Sequence, residues 1–230
     1  EEQVFIAENG KLVEDLLGHF ACKILVATHE WFETHPKAKA DEMIEVSKDE
    51  LSRVSLLKTP QEVLAVFQQP TYEFCPEVIK ESLCLALDDV QDPGNLGTIV
   101  RTAEGAGVNA VFLSKESVDI FNPKTIRSTM GSIYRMPVVY VEDLVALLDI
   151  FKEKGIKSYA AHLEGKNSYD REDYKGGTAI LIGNEGNGLR DEVSNAADIW
   201  VQIPMQGQVE SLNAAIAASI LMFEVYRQRR

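Results

Sequence analysis

The 230-residue chain has little cysteine, tryptophan, histidine or proline, and it is short of positive charge. Its three cysteines, Cys22, Cys75 and Cys84, are odd in number and widely spaced. No pair has metal-ligand spacing, so neither a disulfide framework nor a cysteine-rich zinc module is encoded, and the thiols read as core residues of a reducing compartment. The four histidines form no His-x-x-x-His pair, and no metal is expected. No apolar run approaches the roughly 20 residues a bilayer demands, and the start Glu1-Glu2-Gln3-Val4-Phe5 lacks the basic-then-apolar order of a secretory signal. The expectation is a soluble, cytoplasmic protein with no membrane partner. Against 36 acidic side chains stand 23 Lys and Arg, a net charge of -13. That excludes binding nucleic acid through a basic average, though a local basic surface remains open.

What is present is an ordinary globular composition, 45% hydrophobic and 26% charged, on a chain long enough for one large domain or two smaller ones. Val4 to Ala7 reads as a strand, Lys11 to Phe20 as a helix, Lys23 to Ala27 as a strand, and Leu64 to Phe67 closes this section. A composition shift around residues 70 to 81 marks a linker, giving expected domains 1–75 and 76–230. From Leu83 the rhythm is α/β. Compact apolar runs at Leu83–Leu87, Ala110–Leu113, Val138–Val141, Ser158–Ala161 and Thr178–Ile182 have the character of buried parallel strands. Helical patterns at Asn95–Gly105, Pro123–Gly131 and Glu142–Lys154 separate several of them, so the expected fold is an open parallel sheet with helices on both faces. A strand at Ile199–Ile203 and a helix at Val209–Arg229 follow, the helix with an apolar stripe of Leu212, Ile216, Ile220 and Phe223. No Gly-x-Gly-x-x-Gly follows the first strand. Gly105-Ala106-Gly107 reads as a turn, so a dinucleotide site is disfavoured.

Four stretches concentrate residues able to carry chemistry. Asp92-Pro93-Gly94-Asn95-Leu96-Gly97-Thr98-Ile99-Val100-Arg101-Thr102-Ala103 places Asn95 at the carboxyl end of a strand, where open sheets put ligands; its structural alternative is a helix N-cap. Arg101 sits among apolar neighbours, and its planar fork suits a phosphate. In Asn122–Gly131, Lys124 and Arg127 lie three apart and can share a helix face, with Arg135 nearby. Gly183-Asn184-Glu185-Gly186-Asn187-Gly188-Leu189 permits tight turns and close approach of backbone to a ligand. Ile203-Pro204-Met205 leads on to Ser211-Leu212-Asn213, where Ser211 can also serve as the cap of the last helix.

The first, third and fourth of these resemble the three signature motifs of the SpoU family of ribose 2'-O-methyltransferases, and Asn122–Gly131 resembles another characteristic stretch of that family; the resemblance covers nearly the whole chain, most tightly residues 83 to 229. The resemblance implies a deep C-terminal trefoil knot, which ordinary connection rules would not propose. It also implies a smaller N-terminal domain similar to small RNA-binding ribosomal proteins. The chain departs from the family at Glu8-Asn9-Gly10-Lys11, where Glu-Gly-x-Lys is usual. S-adenosylmethionine is the implied cofactor, contacted by Gly183, Ile203 and Leu212. The implied reaction centre comprises Asn95, Arg101, Glu185, Ser211 and Asn213, with Glu185 orienting Arg101 or substrate. An arginine stays protonated, so Arg101 is read as a clamp on RNA phosphate that assists deprotonation of the ribose hydroxyl. Arg101, Lys124, Arg127 and Arg135 are the implied RNA contacts. Ala160-Ala161-His162-Leu163 resembles the family's cofactor-side loop, often Ala-Thr; His162 has no counterpart there and reads as a surface or loop residue. The implied reaction is direct displacement at a methyl carbon, which requires alignment and neither metal nor a covalent protein intermediate. Structured RNA, ribosomal first, and a second copy in a homodimer are the implied partners. Transfer RNA as substrate is one alternative, and an inactive RNA-binding assembly protein is another.

Overall fold

The structure is a computed structural model that describes residues 3–72 and 81–230; Cys75 and most of the expected linker lie outside these residues. Residues 3–72 form β1 (Val4–Glu8), α1 (Gly10–Leu17), β2 (Cys22–Ala27), α2 (His29–Thr34), β3 (Glu42–Glu45), α3 (Lys48–Val54) and β4 (Val63–Gln68). The sheet order is β1-β4-β2-β3, with β4 antiparallel to β1 and β2, and β3 parallel to β2. Asn9 explains the departure from the family's glycine. It has φ 103°, a backbone conformation that favours glycine, and its side chain offsets part of that strain by accepting the Leu12 N–H at 3.4 Å as the cap of α1. Glu8 beside it is buried, taking hydrogen bonds from the Ser55 hydroxyl and the Leu56 N–H, and so ties β1 to the end of α3.

The second unit is a seven-stranded parallel sheet in the order β7-β6-β5-β10-β8-β11-β9. Its strands are β5 (Leu83–Leu87), β6 (Ala110–Ser114), β7 (Val138–Val141), β8 (Lys157–Ala161), β9 (Asn167–Ser168), β10 (Thr178–Ile182) and β11 (Ile199–Gln202). α4 (Pro93–Gly105), α5 (Pro123–Thr129), α6 (Leu144–Glu153), α7 (Asp191–Ala196) and α8 (Ala214–Arg229) complete it. Every residue of β5, β6 and β10 is buried, which is why these strands are apolar runs, broken only by Ser114 and Thr178 at strand ends, and not alternating. Leu83, Leu85 and Leu87 face a core with Ile99 of α4, Ile126 of α5 and Leu221 of α8. Cys84 and Ala86 face the opposite core, with Leu147, Phe151 and Val193 of α6 and α7. Helices therefore cover both faces. Each fully buried leucine contributes about 1.5–3 kcal/mol.

The first core runs on into residues 3–72. Phe5 of β1 stacks on Phe67 at 5.6 Å and on Phe121, just before α5, at 5.1 Å, and His19 stacks on Tyr134 at 3.8 Å. The order of strands decides where a ligand can sit. From β5 the chain moves outward through β6 and β7, then returns to the other side through β8 and β10, so the carboxyl ends of β5 and β10 border the switch point of the sheet.

Three expectations need correction. α8 begins at Ala214 and not at Val209, because Asn213 takes the cap position and accepts the N–H groups of Ala215 and Ile216. The stripe of Ile216, Ile220 and Phe223 does not face the core. Ala214, Ala215, Ala218, Leu221, Met222 and Val225 do, while Ile216 and Phe223 are 51% and 46% exposed. Small alanines in its first half let α8 come close to its neighbours β10 and α4, and Leu221, Met222 and Val225 fill the core further along, leaving Ile216 and Phe223 outward. The helix expected over Pro123–Gly131 stops at Thr129, where Met130 enters the left-handed region at φ 50° and Gly131 follows at φ 86°.

Candidate active site

Two loops meet at the switch point. After β5, Asp88 is completely buried, and a buried carboxylate requires compensation. It receives it from Arg190 at the start of α7, which donates its backbone N–H at 2.9 Å and its Nε–H at 2.8 Å. Neither residue was singled out from sequence; an aspartate directly behind a fully apolar strand was the available signal. Asp89, at φ 56°, accepts through its carbonyl from the Asn184 side-chain amide at 2.8 Å. Asp92 then caps α4, its carboxylate accepting the Asn95 N–H at 2.8 Å. Asn95 is thus inside the first turn of the helix, not its cap. The Asn95 N–H bond, joined by the Lys124 ammonium at 3.1 Å, outweighs burial and holds the Asp92 carboxyl below the usual range.

The opposing loop folds tightly on itself. Asn184 and Gly188 exchange both backbone hydrogen bonds at 2.9 Å, and the Asn184 carbonyl oxygen on the side chain accepts from the N–H groups of Gly186 and Asn187. Gly183 has no room for a side chain, since a Cβ there would lie 2.1 Å from the backbone of Gly188 and Leu189. This fold presents Glu185 to the first loop. Its carboxylate accepts the N–H groups of Gln91 and Asp92, each at 3.2 Å, and the Asn95 amide at 3.0 Å. Burial alone would raise the Glu185 pKa, but the bonds from Asn95 and from backbone N–H groups prevail and lower it.

A carboxylate only accepts, so Asn95 must turn its NH2 toward Glu185 and its carbonyl away. That carbonyl accepts the Asn213 amide at 3.0 Å, and the Asn213 oxygen caps α8. Asn213, Asn95 and Glu185 thereby form one hydrogen-bonded chain from the last helix through α4 to the Gly183–Leu189 loop, with every amide orientation determined. Glu185 does not touch Arg101. Arg101 is exposed and makes no hydrogen bond or ion pair with the described residues, although Ile99, Val100 and Ala103 around it are fully buried. Arg127 is half-buried and also has no ionic partner among the described residues. Lys124 and Arg135, by contrast, are already paired, with Asp92 at 3.1 Å and Glu104 at 2.9 Å.

Beside this chain of amides lies a cleft of about 550 Å³. Gly183, Ile203 and Leu212 all line it, together with Glu185, Ser211 and His162. Ser211 is exposed in the segment before α8 and does not cap that helix. Asn95, Arg101 and Asn213 are not part of the cleft lining.

A profile described as the SpoU rRNA Methylase family matches residues 82–223. The chain belongs to this family. An MRM3-like substrate binding domain profile matches residues 1–65. The 23S rRNA (guanosine(2553)-2'-O)-methyltransferase RlmP of Bacillus subtilis is 38% identical over 180 residues, covering 78% of this chain and 71% of its own. The AdoMet-bound rRNA methyltransferase of Sinorhizobium meliloti superposes with a TM-score of 0.83 at 32% identity, covering 98% of this chain and 87% of its own. The SpoU methyltransferase AviRb of Streptomyces viridochromogenes, in complex with AdoMet, gives 0.87 at 26% identity, covering 98% and 90%. This SpoU chain is an RNA 2'-O-methyltransferase that uses S-adenosylmethionine.

The residues present fit that cofactor. Ile182, Val201, Ile203 and Leu212 give the cleft apolar walls for a flat heterocycle, and Glu164, Glu185 and Glu210 give it negative charge suited to a sulfonium cation. No helix among the described residues is long and apolar enough to cross a membrane.

Proposed function

We propose that this SpoU methyltransferase modifies ribosomal RNA, with Asn95, Glu185, Ser211 and Asn213 surrounding the ribose and Arg101 holding an adjacent phosphate. The observation that carries this reading is the Asn213–Asn95–Glu185 chain bordering a cleft lined by Gly183, Ile203 and Leu212. Bound S-adenosylmethionine supplies an electrophilic methyl group on sulfur. The protein's part is to align a hydroxyl with that methyl and to exclude competing water. Because Glu185 is committed to Asn95 and two backbone N–H groups, its role is to fix the amides and not to take a proton. Arg101 stands outside the cleft lining, exposed and without an ionic partner among the described residues, which suits a two-point grip on phosphate. Arg127 joins it in that positive surface, and Lys124 and Arg135 contribute once RNA phosphate competes for their carboxylates. The two units correspond to functional domains 1–75 and 76–230, the first selecting RNA. The reading also includes a trefoil knot at the C-terminal end, a homodimer formed on the outward stripe of α8, and action in the cytoplasm without a metal.

Relatives named for ribosomal RNA support the substrate class. The test is a map of ribose methylation across total RNA in cells with and without the gene. Loss of a single ribosomal 2'-O-methyl group is the expected result; loss from a transfer RNA instead would overturn the ribosomal assignment. Calorimetry in the presence of a chelator is expected to show one saturable site for S-adenosylmethionine.

A further inference from the structure

One group in the cleft has a well-fixed position and no assigned role. His162 directly follows β8, and its backbone N–H donates to the Val201 carbonyl at 2.9 Å. Its imidazole stacks on the Trp200 indole, with ring centres 4.1 Å apart and planes 25° apart. The indole is itself pinned by its N–H to the Ser194 carbonyl at 2.6 Å. The turn from His162 to Gly165 closes through the Gly165 N–H on the His162 carbonyl at 3.0 Å. A Cβ at Gly165 would lie 2.7 Å from the Val201 backbone, so this turn packs directly on β11. Within it, the Glu164 N–H meets His162 Nδ1 at 3.1 Å. A backbone N–H can only donate, so Nδ1 accepts and the proton of the ring lies on Nε2. Nε2 makes no hydrogen bond with the described residues, and His162 lines the cofactor cleft.

The charges in that cleft are lopsided. Glu164, Glu185 and Glu210 line it, and among the described residues no lysine or arginine does. S-adenosylmethionine carries two cationic centres, the sulfonium and the amino group, and one anion, the carboxylate. The cations suit the glutamates; the carboxylate needs an N–H or O–H donor, since a carboxylate only accepts. Among the lining side chains the imidazole is the donor whose place is fixed on both sides, by the Trp200 indole and by the Glu164 N–H, and whose Nε2–H faces no hydrogen-bond partner among the described residues. We propose that His162, through Nε2–H, holds the amino-acid carboxylate of the cofactor. The inference rests on the assignment of S-adenosylmethionine to this cleft.

The test compares three ligands by calorimetry: S-adenosylmethionine, S-adenosylhomocysteine, and methylthioadenosine, which keeps adenosine and sulfur but lacks the amino-acid arm. His162→Phe keeps a ring on Trp200 and removes Nε2–H. It is expected to weaken the first two ligands by roughly 10- to 100-fold, the range for a hydrogen bond to a charged group, and to leave methylthioadenosine binding unchanged. The unchanged ligand also reports an intact cleft. Unaltered affinity for all three ligands overturns the proposal, and so does an equal loss for all three, which would make the ring a wall of the cleft and not a carboxylate donor. Failure of the parent protein to bind S-adenosylmethionine is a distinct result that removes the cofactor assignment and this inference together.

Discussion

Asn95 makes two side-chain hydrogen bonds of opposite sense, donating to Glu185 and accepting from Asn213, which its amide can do with a separate NH2 and carbonyl oxygen. Arg101 is its opposite, a side chain with no protein partner among the described residues, held on a helix whose neighbouring positions are buried. If it grips RNA phosphate, Arg101→Ala lowers methyl transfer about 100-fold at saturating RNA and cofactor while S-adenosylmethionine affinity stays within about twofold. Arg101→Lys restores part of the loss, since it keeps charge without the planar fork. Single-turnover methyl transfer with calorimetry in parallel checks both; near-parental turnover of Arg101→Ala would remove it from the mechanism. Glu185 makes a prediction in pH. Its folded-state pKa lies below the ordinary 4.5, so the stabilisation it provides is fully present above that value and is lost as pH falls through the folded one. The residue is largely exposed, so the effect is small. Thermal unfolding of the parent and of Glu185→Gln is expected to differ most near neutrality and to converge as pH falls below the ordinary carboxylate range. A gap that widens on acidification would contradict the bonding described here.

At the scale of elements, the Gly183–Leu189 loop depends on one missing side chain. Gly183→Ala forces a Cβ to within 2.1 Å of the Gly188 backbone, so the loop must open. Overpacking of this kind costs about 1–3 kcal/mol, a fall in Tm of several degrees for a chain of this size. Differential scanning calorimetry reads that fall, and S-adenosylmethionine affinity is expected to drop with it. The glycine-rich motif was legible as a tight turn, and the parallel strands were legible because β5 is apolar throughout and β6 and β10 are apolar except for Ser114 and Thr178 at their ends. α7 and β9 were not legible, being six and two residues long. β3 was hidden for a different reason: all four of its residues are exposed on a sheet edge, so no burial pattern marks Glu42–Glu45. α3 buries only Leu51, yet Ser47 and Glu50 form a capping box that the sequence does display, and attention to that spacing would have found the helix. The stripe on α8 misled because the helix is apolar on both sides, with Ala214, Ala218, Leu221 and Val225 inward and Ile216 and Phe223 outward. At the site, motif resemblance put Gly183, Ile203 and Leu212 at a cofactor and the Ala160–Leu163 stretch beside it, and the three residues do line one cleft with Ala161, His162 and Leu163, while the Asp88–Arg190 pair joins distant loops that no local pattern reports.

For the whole molecule, the outward face of α8 and the span of the site have separate consequences. Phe223 and Tyr226 meet edge to face at 6.0 Å on that surface, in line with Ile216. If a second copy covers the stripe, the double variant Ile216→Glu/Phe223→Glu turns a dimer into a monomer in light scattering at low micromolar concentration. A parent protein that already scatters as a monomer would reject the dimer. The hydrogen bonds that assemble the site join residues 90 to 118 positions apart, from Asn95–Glu185 to Asn95–Asn213. Contacts of that range require the loops between them to be closed first, and closing long loops delays folding. The helices and the early strands therefore gain their hydrogen bonds before the cleft exists. In refolding from denaturant, far-ultraviolet circular dichroism is expected to recover ahead of S-adenosylmethionine binding. Equal rates for both signals would count against this ordering. A newly made chain thus cannot capture its cofactor while only residues 1–180 have emerged, which makes methyl-donor binding a late checkpoint of the chain's own synthesis.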